Sequence, residues 1–398
     1  MKRLGSCFLF GLIILALGEI LTRIFIPVDP FKRSVDRTYQ HPFIRTDWVP
    51  GFKTTYVIEG IAGQKGTMEF KINEFGFRSS SMKTAEKPAG TTRIFFLGGS
   101  TTEEIYLPEE KTFPYLVEKK LAEKFPNRKF EVINDGISGY LAADVFALLT
   151  YKVLYYQPDL VVVMLGINDL RYGAAPVFDP VQRPSYQKIF YAPSFQESLS
   201  ESVNKIFKRS HFLTLIKWRL INRIFVPEAE KYKTKLEEYN AWRKEKKEKP
   251  ITPVAESKAL PDFLKYLEEM IFVTKGHRIP IIVMTEPSIY QNVNPPEVED
   301  QLWMGYMPEA NLNLSSEFLL REMNRFNHAA RGLSQKYGVG LIDLEKEIPK
   351  DLNHFYDDVH LTPTGAQKAA DVITAYLWAN QNLFTGSQPE PSAISSAS

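Results

Sequence analysis

Apolar runs and amphipathic stretches alternate along most of the chain after residue 90. Five of the runs are short and continuous, which is typical of strands buried on both faces of a parallel sheet. The stretches between them carry apolar residues at helical spacing. The predicted strands are residues 94–97, 132–133, 160–165, 281–284 and 341–344, and the predicted helices are residues 113–125, 141–155, 263–275 and 317–337. This alternation predicts an α/β fold with three layers around a doubly wound parallel sheet.

The N-terminus carries a different pattern. Lys2 and Arg3 precede an apolar segment that runs from residue 8 to residue 26. As a helix this segment would measure about 28 Å, close to the thickness of the hydrocarbon core of a bilayer. We expect residues 1–27 to form a transmembrane anchor. The positive-inside rule then leaves the two cations in the cytoplasm and the rest of the chain outside it.

A cleaved signal peptide is the alternative for the same segment. Residues 16–18, Ala-Leu-Gly, supply the small residues that a signal peptidase needs after a short apolar core. A lipoprotein signal is rejected, because Cys7 comes before the apolar run and a lipidated cysteine must follow it. Both remaining interpretations place the working domain in the periplasm or outside the cell, and the anchor would add the membrane as a partner.

Three segments flank or interrupt the α/β domain, which is expected over residues 91–384. Residues 28–90 contain Pro, Gly and short alternating runs, which predicts a small β-rich extension. Residues 171–260 form an insertion. Its basic amphipathic first half can either cap the core or lie on a membrane surface, and its second half, residues 228–249, is expected to be an exposed charged helix. Residues 385–398, rich in Ser, Pro and Ala, are expected to be disordered.

Charge and cysteine content exclude several classes of function. The 398 residues include 49 Lys and Arg and 47 Asp and Glu, so the formal charge is only +2. This balance lacks the broad basic field of a nucleic-acid-binding protein, and we expect no nucleic-acid partner. A single cysteine excludes an intramolecular disulfide framework and a Cys-rich zinc site.

Polar and glycine-rich motifs follow the first three predicted strands of the domain. Residues 97–102, Leu-Gly-Gly-Ser-Thr-Thr, place Ser100 at the start of a helix, where its hydroxyl and its own backbone N–H can face one point. Residues 134–140 contain Gly139, whose backbone N–H can approach a ligand because no Cβ intervenes. Asn168 follows the third strand and offers a side-chain amide donor. Because carboxyl ends of parallel strands share one edge of the sheet, these three donors can converge on an oxyanion.

A fourth motif, Asp-Asp-Val-His-Leu-Thr-Pro, lies near the C-terminus at residues 357–363. The carboxylate of Asp357 can accept from Nδ1–H of His360, which leaves Nε2 free to take a proton from a serine. Thr362 and Pro363 are typical of the N-cap and first residue of a helix. A helix that begins there would hold the histidine in place.

Four other polar residues have structural interpretations. We expect Asp358 to be a solvated neighbour of the fourth motif, Asp169 to brace its own loop and His328 to lie on the surface. His354 is close in sequence to the fourth motif and is a weaker candidate for the mouth of a site. No group of residues has the spacing of metal ligands, so we predict no metal and no cofactor.

The four motifs, in this order, resemble the blocks of the SGNH hydrolases, the GDSL-type esterase and lipase superfamily, whose fold is a three-layer, flavodoxin-like α/β fold. The resemblance covers residues 93–383 apart from the insertion. It implies that Ser100 is the nucleophile, His360 the general base and Asp357 the partner that orients the base. The implied oxyanion hole consists of the backbone N–H of Ser100, the backbone N–H of Gly139 and the side chain of Asn168.

One position departs from the family pattern. Gly99 stands where the family commonly has Asp before the serine. Because that Asp is not a member of the catalytic triad, the change bears on hydrogen bonding in the first block more than on catalysis.

The resemblance implies hydrolysis of an ester through an acyl-enzyme. Our leading hypothesis for the substrate is an O-acyl group, most simply O-acetyl, on an extracytoplasmic glycan. Three alternatives stay open: an O-acyltransferase on a polysaccharide, a membrane-proximal lipase or lysophospholipase, and a catalytically silent glycan-binding protein. The expected partner is an acylated carbohydrate or, in the lipase alternative, a lipid.

Overall fold

The computed structural model describes residues 2–25, 37–39, 41, 43–176, 178–179, 212 and 236–385. From the N-terminus to the middle of the chain, the helices and strands are α1 (Lys2–Phe25), β1 (Thr38–Tyr39), β2 (Asp47–Trp48), β3 (Lys53–Ile61), β4 (Gln64–Lys71), β5 (Thr91–Gly98), α2 (Ser100–Glu103), α3 (Phe113–Lys124), β6 (Lys129–Gly136), α4 (Ala142–Tyr151), β7 (Leu160–Met164) and α5 (Ile167–Ala174). They continue as α6 (Leu236–Glu248), α7 (Leu260–Gly276), β8 (Ile281–Met284), α8 (Pro296–Glu299), β9 (Tyr306–Met307), β10 (Leu312–Asn313), α9 (Ser316–Tyr337), β11 (Gly340–Ile342), α10 (Leu344–Glu347), α11 (Pro363–Ala379) and α12 (Asn382–Thr385).

The central sheet of the described residues has five parallel strands in the order β11-β8-β7-β5-β6. Every residue of β5, β7 and β8 is buried, because helices cover both faces of the sheet. Gly98, the last residue of β5, is paired with Gly136 on one side and with Met164 on the other. The strands therefore end in line, and the motifs that follow them emerge at one edge. The predicted α/β class and parallel sheet are confirmed.

Two groups of helices make the outer layers. On one face, α7 contacts α4, α5 and α9, and on the other face α3 packs against α11. The last helix begins as its sequence predicts: the Oγ1 of Thr362 accepts from the N–H of Gly365, and Pro363 is the first helical residue. The strand predicted at residues 341–344 begins one residue earlier, at Gly340, and ends at Ile342, because α10 begins at Leu344.

The segment before the α/β domain contains an antiparallel hairpin of β3 and β4, which pair from Lys53 with Lys71 to Ile61 with Gln64. Its apolar side chains, among them Ile58, Met68 and Phe70, belong to the same core as the central sheet. The alternating runs predicted there as β-structure do form strands. Residues 28–36, the first part of the predicted extension, lie outside the described residues.

The N-terminal helix α1 covers most of the apolar segment. Nowhere in the described part of the chain is there a helix of the length and apolarity that a membrane crossing requires. The anchor expected over residues 1–27 has no support in the structure.

The insertion is described only in part. Helix α5 continues to Ala174, past the predicted start of the insertion at residue 171. The basic amphipathic first half lies outside the described residues except for Phe212, so the choice between a cap and a membrane surface is untested. The predicted disordered tail, apart from Thr385, also lies outside them.

Candidate active site

Ser100 is the first residue of α2, directly after the end of the central strand β5. Gly99 is the N-cap, and its carbonyl oxygen accepts from the N–H groups of Thr102 (3.1 Å) and Glu103 (3.0 Å). The first N–H groups of a helix have no acceptor inside the helix, so the N–H of Ser100 is available to a ligand. Ser100 itself is partly exposed.

His360 joins Ser100 to Asp357 in one chain of hydrogen bonds. The Nε2 of His360 lies 2.8 Å from the Oγ of Ser100, and its Nδ1 lies 2.8 Å from Oδ2 and 2.9 Å from Oδ1 of Asp357. A carboxylate can only accept, so Nδ1 carries the proton and Nε2 accepts from the serine hydroxyl. The structure thus brings together three residues that are separated by up to 260 positions in the sequence.

The carboxylate of Asp357 is fully buried and held by four donors. Besides His360 Nδ1, these are the N–H of Val359 (3.1 Å), the N–H of His360 (2.9 Å) and the indole N–H of Trp303 (2.9 Å). Burial acts to raise the pKa of Asp357, but the charge of His360 and these hydrogen bonds outweigh it and hold the pKa below its ordinary value. Asp357 therefore stays ionised next to the histidine.

The pKa of His360 moves the other way. Burial acts to lower it, and the adjacent charge and hydrogen bond of Asp357 raise it above the ordinary value, with further contributions from Asp358 and Glu286. The ring of Tyr356 stacks on the imidazole with centroids 5.6 Å apart and an interplanar angle of 12°. The imidazolium is stabilised, as a general base requires when it has taken a proton.

Asp358 is not solvated, and that prediction is wrong. Its side chain is completely buried and accepts from the hydroxyl of Tyr290 (2.8 Å) and from the N–H groups of Trp303 (2.8 Å) and Met304 (3.2 Å). Burial and the neighbouring charge of Asp357 raise its pKa. The residue fixes the turn that carries the indole to the triad, because its oxygen binds the backbone at that turn.

The loop after β6 leaves one backbone N–H without an acceptor. The N–H groups of residues 136, 137 and 138 donate to Asn134 Oδ1, Gly98 O and Glu103 Oε2, respectively. Those of residues 140, 141 and 142 donate to Ile137 O, to Asp144 Oδ2 and to both carboxylate oxygens of Asp169. Within the described part of the chain, the N–H of Gly139 donates to no protein atom. Gly139 has φ of +78°, a conformation that favours glycine. The free donor is thus built by the fold and coincides with the glycine singled out from the sequence.

Asn168 reaches the same place from the next strand. Its Nδ2 donates to the carbonyl oxygen of Tyr140 at 3.1 Å, which fixes the amide and leaves its second N–H. A Cβ on Gly99 would lie 2.7 Å from this Nδ2, so the amide stands directly against the residue before Ser100. The glycine that departs from the family pattern makes room for the asparagine.

Glu286 ties the first and third motifs together. Its Oε1 accepts from the hydroxyl of Thr101 at 2.7 Å, and its Oε2 accepts from the N–H of Ile167 at 2.7 Å. Burial raises its pKa, and these two hydrogen bonds oppose the rise. Glu286 was not identified from the sequence. Its position shortly after the buried strand β8, where the other site residues also follow strands, is the signal that could have identified it.

Two arginines from the segment before the hairpin also reach the site, and sequence reasoning missed both. Arg37 Nη1 lies 2.6 Å from Oε1 of the fully buried Glu103, whose Oε2 accepts from the N–H of Ser138 at 2.7 Å. Arg45 Nη2 donates to the carbonyl oxygen of Gly139 at 2.7 Å. The β-rich segment is therefore part of the site's framework.

The charged helix α6 is not fully exposed, which corrects the prediction for residues 228–249. Tyr239 stacks on Trp303 at 4.0 Å between centroids and 9° between planes, and Trp242 lies 5.1 Å from the same indole. Arg243 Nε donates to the carbonyl oxygen of Gln301 at 2.9 Å. One face of the helix packs over the turn that holds Asp357.

The remaining candidates have structural contacts. Asp169 accepts from the N–H of Ala142 with both carboxylate oxygens and so braces the loop after β6. His328 is exposed, as predicted. His354 Nδ1 pairs with Asp351 at 2.7 Å and is not joined to the Ser100 chain of hydrogen bonds. The described residues contain no group of side chains that could hold a metal ion.

Residues 96–368 match the GDSL-like Lipase/Acylhydrolase family, and this match spans more than half of the chain. The chain belongs to this family. It is accordingly a serine hydrolase that acts on ester bonds, of the SGNH type, as the order of its motifs predicts. The four motif residues, Ser100, Gly139, Asn168 and His360, all lie inside the matched range of this GDSL-like enzyme.

Solved structures resemble this acylhydrolase distantly, and no curated protein matches it. Axe2, an acetylxylan esterase from Geobacillus stearothermophilus, has 15% identity and a TM-score of 0.39, with 72% of this chain and 94% of that chain covered. The acetyl xylan esterase AlAXEase has 16% identity and a TM-score of 0.39, with 72% and 98% covered. LAE5, an enzyme from the metagenome of Lake Arreo, Spain, has 16% identity and a TM-score of 0.38, with 72% and 94% covered.

Proposed function

We propose that the enzyme hydrolyses a carboxylic ester through an acyl-enzyme on Ser100. The observation that carries the proposal is the continuous chain from Ser100 Oγ through His360 to Asp357, with both links at 2.8 Å. His360 Nε2 takes the hydroxyl proton as Oγ attacks the ester carbonyl carbon. The protonated imidazole then gives this proton to the leaving alkoxide, and the alcohol departs.

The negative oxygen of the tetrahedral intermediate is stabilised by three donors. These are the N–H of Ser100 at the start of α2, the free N–H of Gly139 and the remaining amide N–H of Asn168. Donors fixed before the reaction stabilise developing charge more than mobile ones, because no reorganisation is needed. Water completes the cycle: His360 accepts its proton, the hydroxide oxygen attacks the acyl carbon, and Ser100 recovers its hydrogen.

For the substrate we propose a short acyl group, most simply acetyl, on a glycan. The space beside His360, lined by Tyr106, Leu107, Tyr356 and Leu361, is too narrow to admit even a water molecule, so the acyl group must bind on another side of the histidine. The extracytoplasmic location, and membrane attachment with it, rests on the sequence pattern of residues 1–27. The acetylated glycan rests on analogy with extracytoplasmic members of the family, which often act on acylated polysaccharides.

Hydrolysis of p-nitrophenyl acetate, butyrate and octanoate by the full chain tests the reaction and the acyl length. We expect turnover of acetate above octanoate, and a loss of at least about a thousandfold in Ser100→Ala and His360→Ala. Ser80→Ala and His328→Ala are matched controls, since both residues are exposed. Equal rates in the controls and in the two site variants would contradict the mechanism.

An O-acetylated xylooligosaccharide then tests the glycan. Release of free acetate supports a deacetylase. Acetyl groups that appear on an added oligosaccharide, in place of free acetate, would make the enzyme a transferase, and a preference for octanoate would favour a lipase.

A further inference from the structure

Arg45 contacts the proposed oxyanion loop from outside the α/β domain. Its Nη2 donates to the carbonyl oxygen of Gly139 at 2.7 Å and lies 3.3 Å from Oδ2 of Asp144, and its guanidinium lies 5.3 Å from the ring centroid of Tyr140. We propose that Arg45 is a positioning residue of the oxyanion hole, which it acts on by fixing the Gly139 peptide. The proposal rests on the proposed function, because the hole has a role only in an acyl-transfer reaction.

The backbone at Gly139 needs external support. Glycine has wide conformational freedom, and the φ of +78° is one of several conformations open to it. The preceding N–H, of Ser138, is held by Glu103 Oε2 at 2.7 Å, and the following N–H, of Tyr140, is held by the carbonyl oxygen of Ile137 at 3.1 Å. The carbonyl of Gly139 is held by Arg45. The peptide that contains the Gly139 carbonyl and the Tyr140 N–H is thus held at both ends, and the peptide that contains the Ser138 N–H is held by Glu103. The peptide that carries the free N–H lies between these two fixed peptides, so its direction is constrained from both sides.

Arg45 is itself held in place. Its side chain is 16% exposed, and Asp144 Oδ2, which it approaches, also accepts from the N–H of Leu141 at 2.9 Å. The hydroxyl of Tyr140 donates to the carbonyl oxygen of Thr46, the residue after Arg45. The planar guanidinium presents its N–H donors in a fixed fork, so it serves a carbonyl, a carboxylate and an aromatic face in one set orientation. Lysine keeps the charge but not this fixed geometry, so we expect it to replace Arg45 only in part.

The expected effect is on the transition state and not on substrate binding. The charge on the oxyanion is absent in the ground state, so a misplaced donor lowers kcat and leaves KM nearly unchanged. Loss of a whole oxyanion donor costs about a hundredfold to a thousandfold in kcat, and a donor that is only mobile costs less. We expect about a tenfold to hundredfold lower kcat in Arg45→Ala and a smaller loss in Arg45→Lys.

The experiment combines kinetics with a probe of the tetrahedral state. The full chain and its Arg45→Ala, Arg45→Lys and Arg128→Ala variants are assayed on p-nitrophenyl acetate, and phenylboronic acid is used as an inhibitor whose serine adduct is tetrahedral and anionic. We expect Ki for phenylboronic acid to rise in step with the fall in kcat, with KM within about twofold. Free guanidinium ion at millimolar concentration should restore part of the activity of Arg45→Ala. Arg128 is exposed, and its variant should behave as wild type.

Hydrogen exchange separates positioning from general damage to the fold. We expect faster exchange in residues 137–142 of Arg45→Ala, with the strands of the central sheet unchanged. The proposal is overturned if wild type is active and Arg45→Ala keeps kcat within twofold, or if kcat falls with unchanged Ki for the boronate and unchanged exchange in that loop. Absence of ester hydrolysis and of boronate binding in wild type would overturn the proposed function, and this inference with it.

Discussion

Trp303 donates its indole N–H to the Oδ2 of Asp357 at 2.9 Å across 54 positions of sequence. The same ring is stacked on Tyr239 at 4.0 Å between centroids, and the guanidinium of Arg171 lies 5.4 Å from its centroid. The carboxylate that binds Nδ1 of His360 is therefore held in turn by an indole that packs under helix α6.

Replacement of this indole should weaken catalysis without abolishing it. In Trp303→Phe the buried carboxylate of Asp357 loses one of its four donors, and a hydrogen bond to a charged group contributes about 1.5–3 kcal/mol. We expect kcat/KM for p-nitrophenyl acetate to fall about tenfold to hundredfold. Trp378→Phe, at a half-exposed tryptophan on α11, is the control. A Trp303→Phe variant with wild-type kcat/KM would show that the indole does not support the triad.

The pH dependence of the reaction follows from His360. The imidazole must be neutral to accept a proton, and Asp357 raises the pKa of His360 above its ordinary value. The rate should therefore rise with pH, with its midpoint above that of a free histidine, and kcat/KM measured from pH 5 to 9 gives this midpoint. In Asp357→Asn the raising charge is gone, so the midpoint of the residual activity should move to lower pH. A midpoint that stays in place would exclude Asp357 as the cause.

Glu104 links stability to pH. It is buried beside the site, one of its oxygens accepts from the N–H of Phe113 at 2.7 Å, and the other has no hydrogen-bond partner among the described residues. Burial raises the pKa of Glu104 to about 8, although the Phe113 N–H and the charge of Arg78 oppose the rise.

The direction of the effect follows from proton binding. Between the ordinary pKa of a glutamate and about 8, the folded protein keeps a proton that the unfolded chain has lost, so the free energy of unfolding falls as the pH rises. Glu104→Gln is neutral at every pH and should match wild type at pH 5 and exceed it at pH 8.5, by an amount on the order of a few kcal/mol. Urea unfolding at both values measures this, with the exposed Glu110→Gln as control. An equal effect of Glu104→Gln at the two pH values would refute the linkage.

Gly99 gives a steric prediction. A Cβ at this position would lie 2.7 Å from Asn168 Nδ2, which real contacts do not allow, so Gly99→Ala should displace the amide. We expect kcat to fall by up to about a hundredfold, since one oxyanion donor is disturbed. Gly276→Ala, where a Cβ meets nothing within 4 Å, serves as the control. Unimpaired kcat in Gly99→Ala would mean that Asn168 can shift without loss, and so is not a donor in the transition state.

The sequence predicts the parts of this molecule that have a local signature. Strands β5 and β7 are continuous apolar runs because both faces of the sheet are covered, and Ser100, Gly139 and Asn168 follow strands whose ends the register brings into line. Together with His360 near the C-terminus, their order resembles the blocks of the SGNH hydrolases, and that resemblance indicates an ester hydrolase.

The supporting residues lack such a signature, because their partners are distant in sequence. In the sequence, nothing distinguishes Arg45 from the other basic residues. The fold places its Nη2 2.7 Å from the carbonyl oxygen of Gly139, which is 94 positions away. The sequence suggests that Asp358 is a surface acid, because only the folded turn at Trp303 brings backbone N–H donors to its carboxylate. In α6 the charged residues outnumber the aromatic ones, so composition hides the Tyr239 and Trp242 face.

Lys152 has a consequence for how the protein unfolds. Its ammonium is buried. It lies 2.7 Å from Asp47, in the segment before the α/β domain (the N-terminal segment below), and 3.3 Å from Asp135 in the central sheet. Burial acts to lower the pKa of Lys152, and the two carboxylates outweigh it and raise the pKa. Detachment of the segment would leave this charge without Asp47 in a site built to exclude water, which costs several kcal/mol. The N-terminal segment and the sheet therefore form one cooperative unit, and heating should melt them in a single transition.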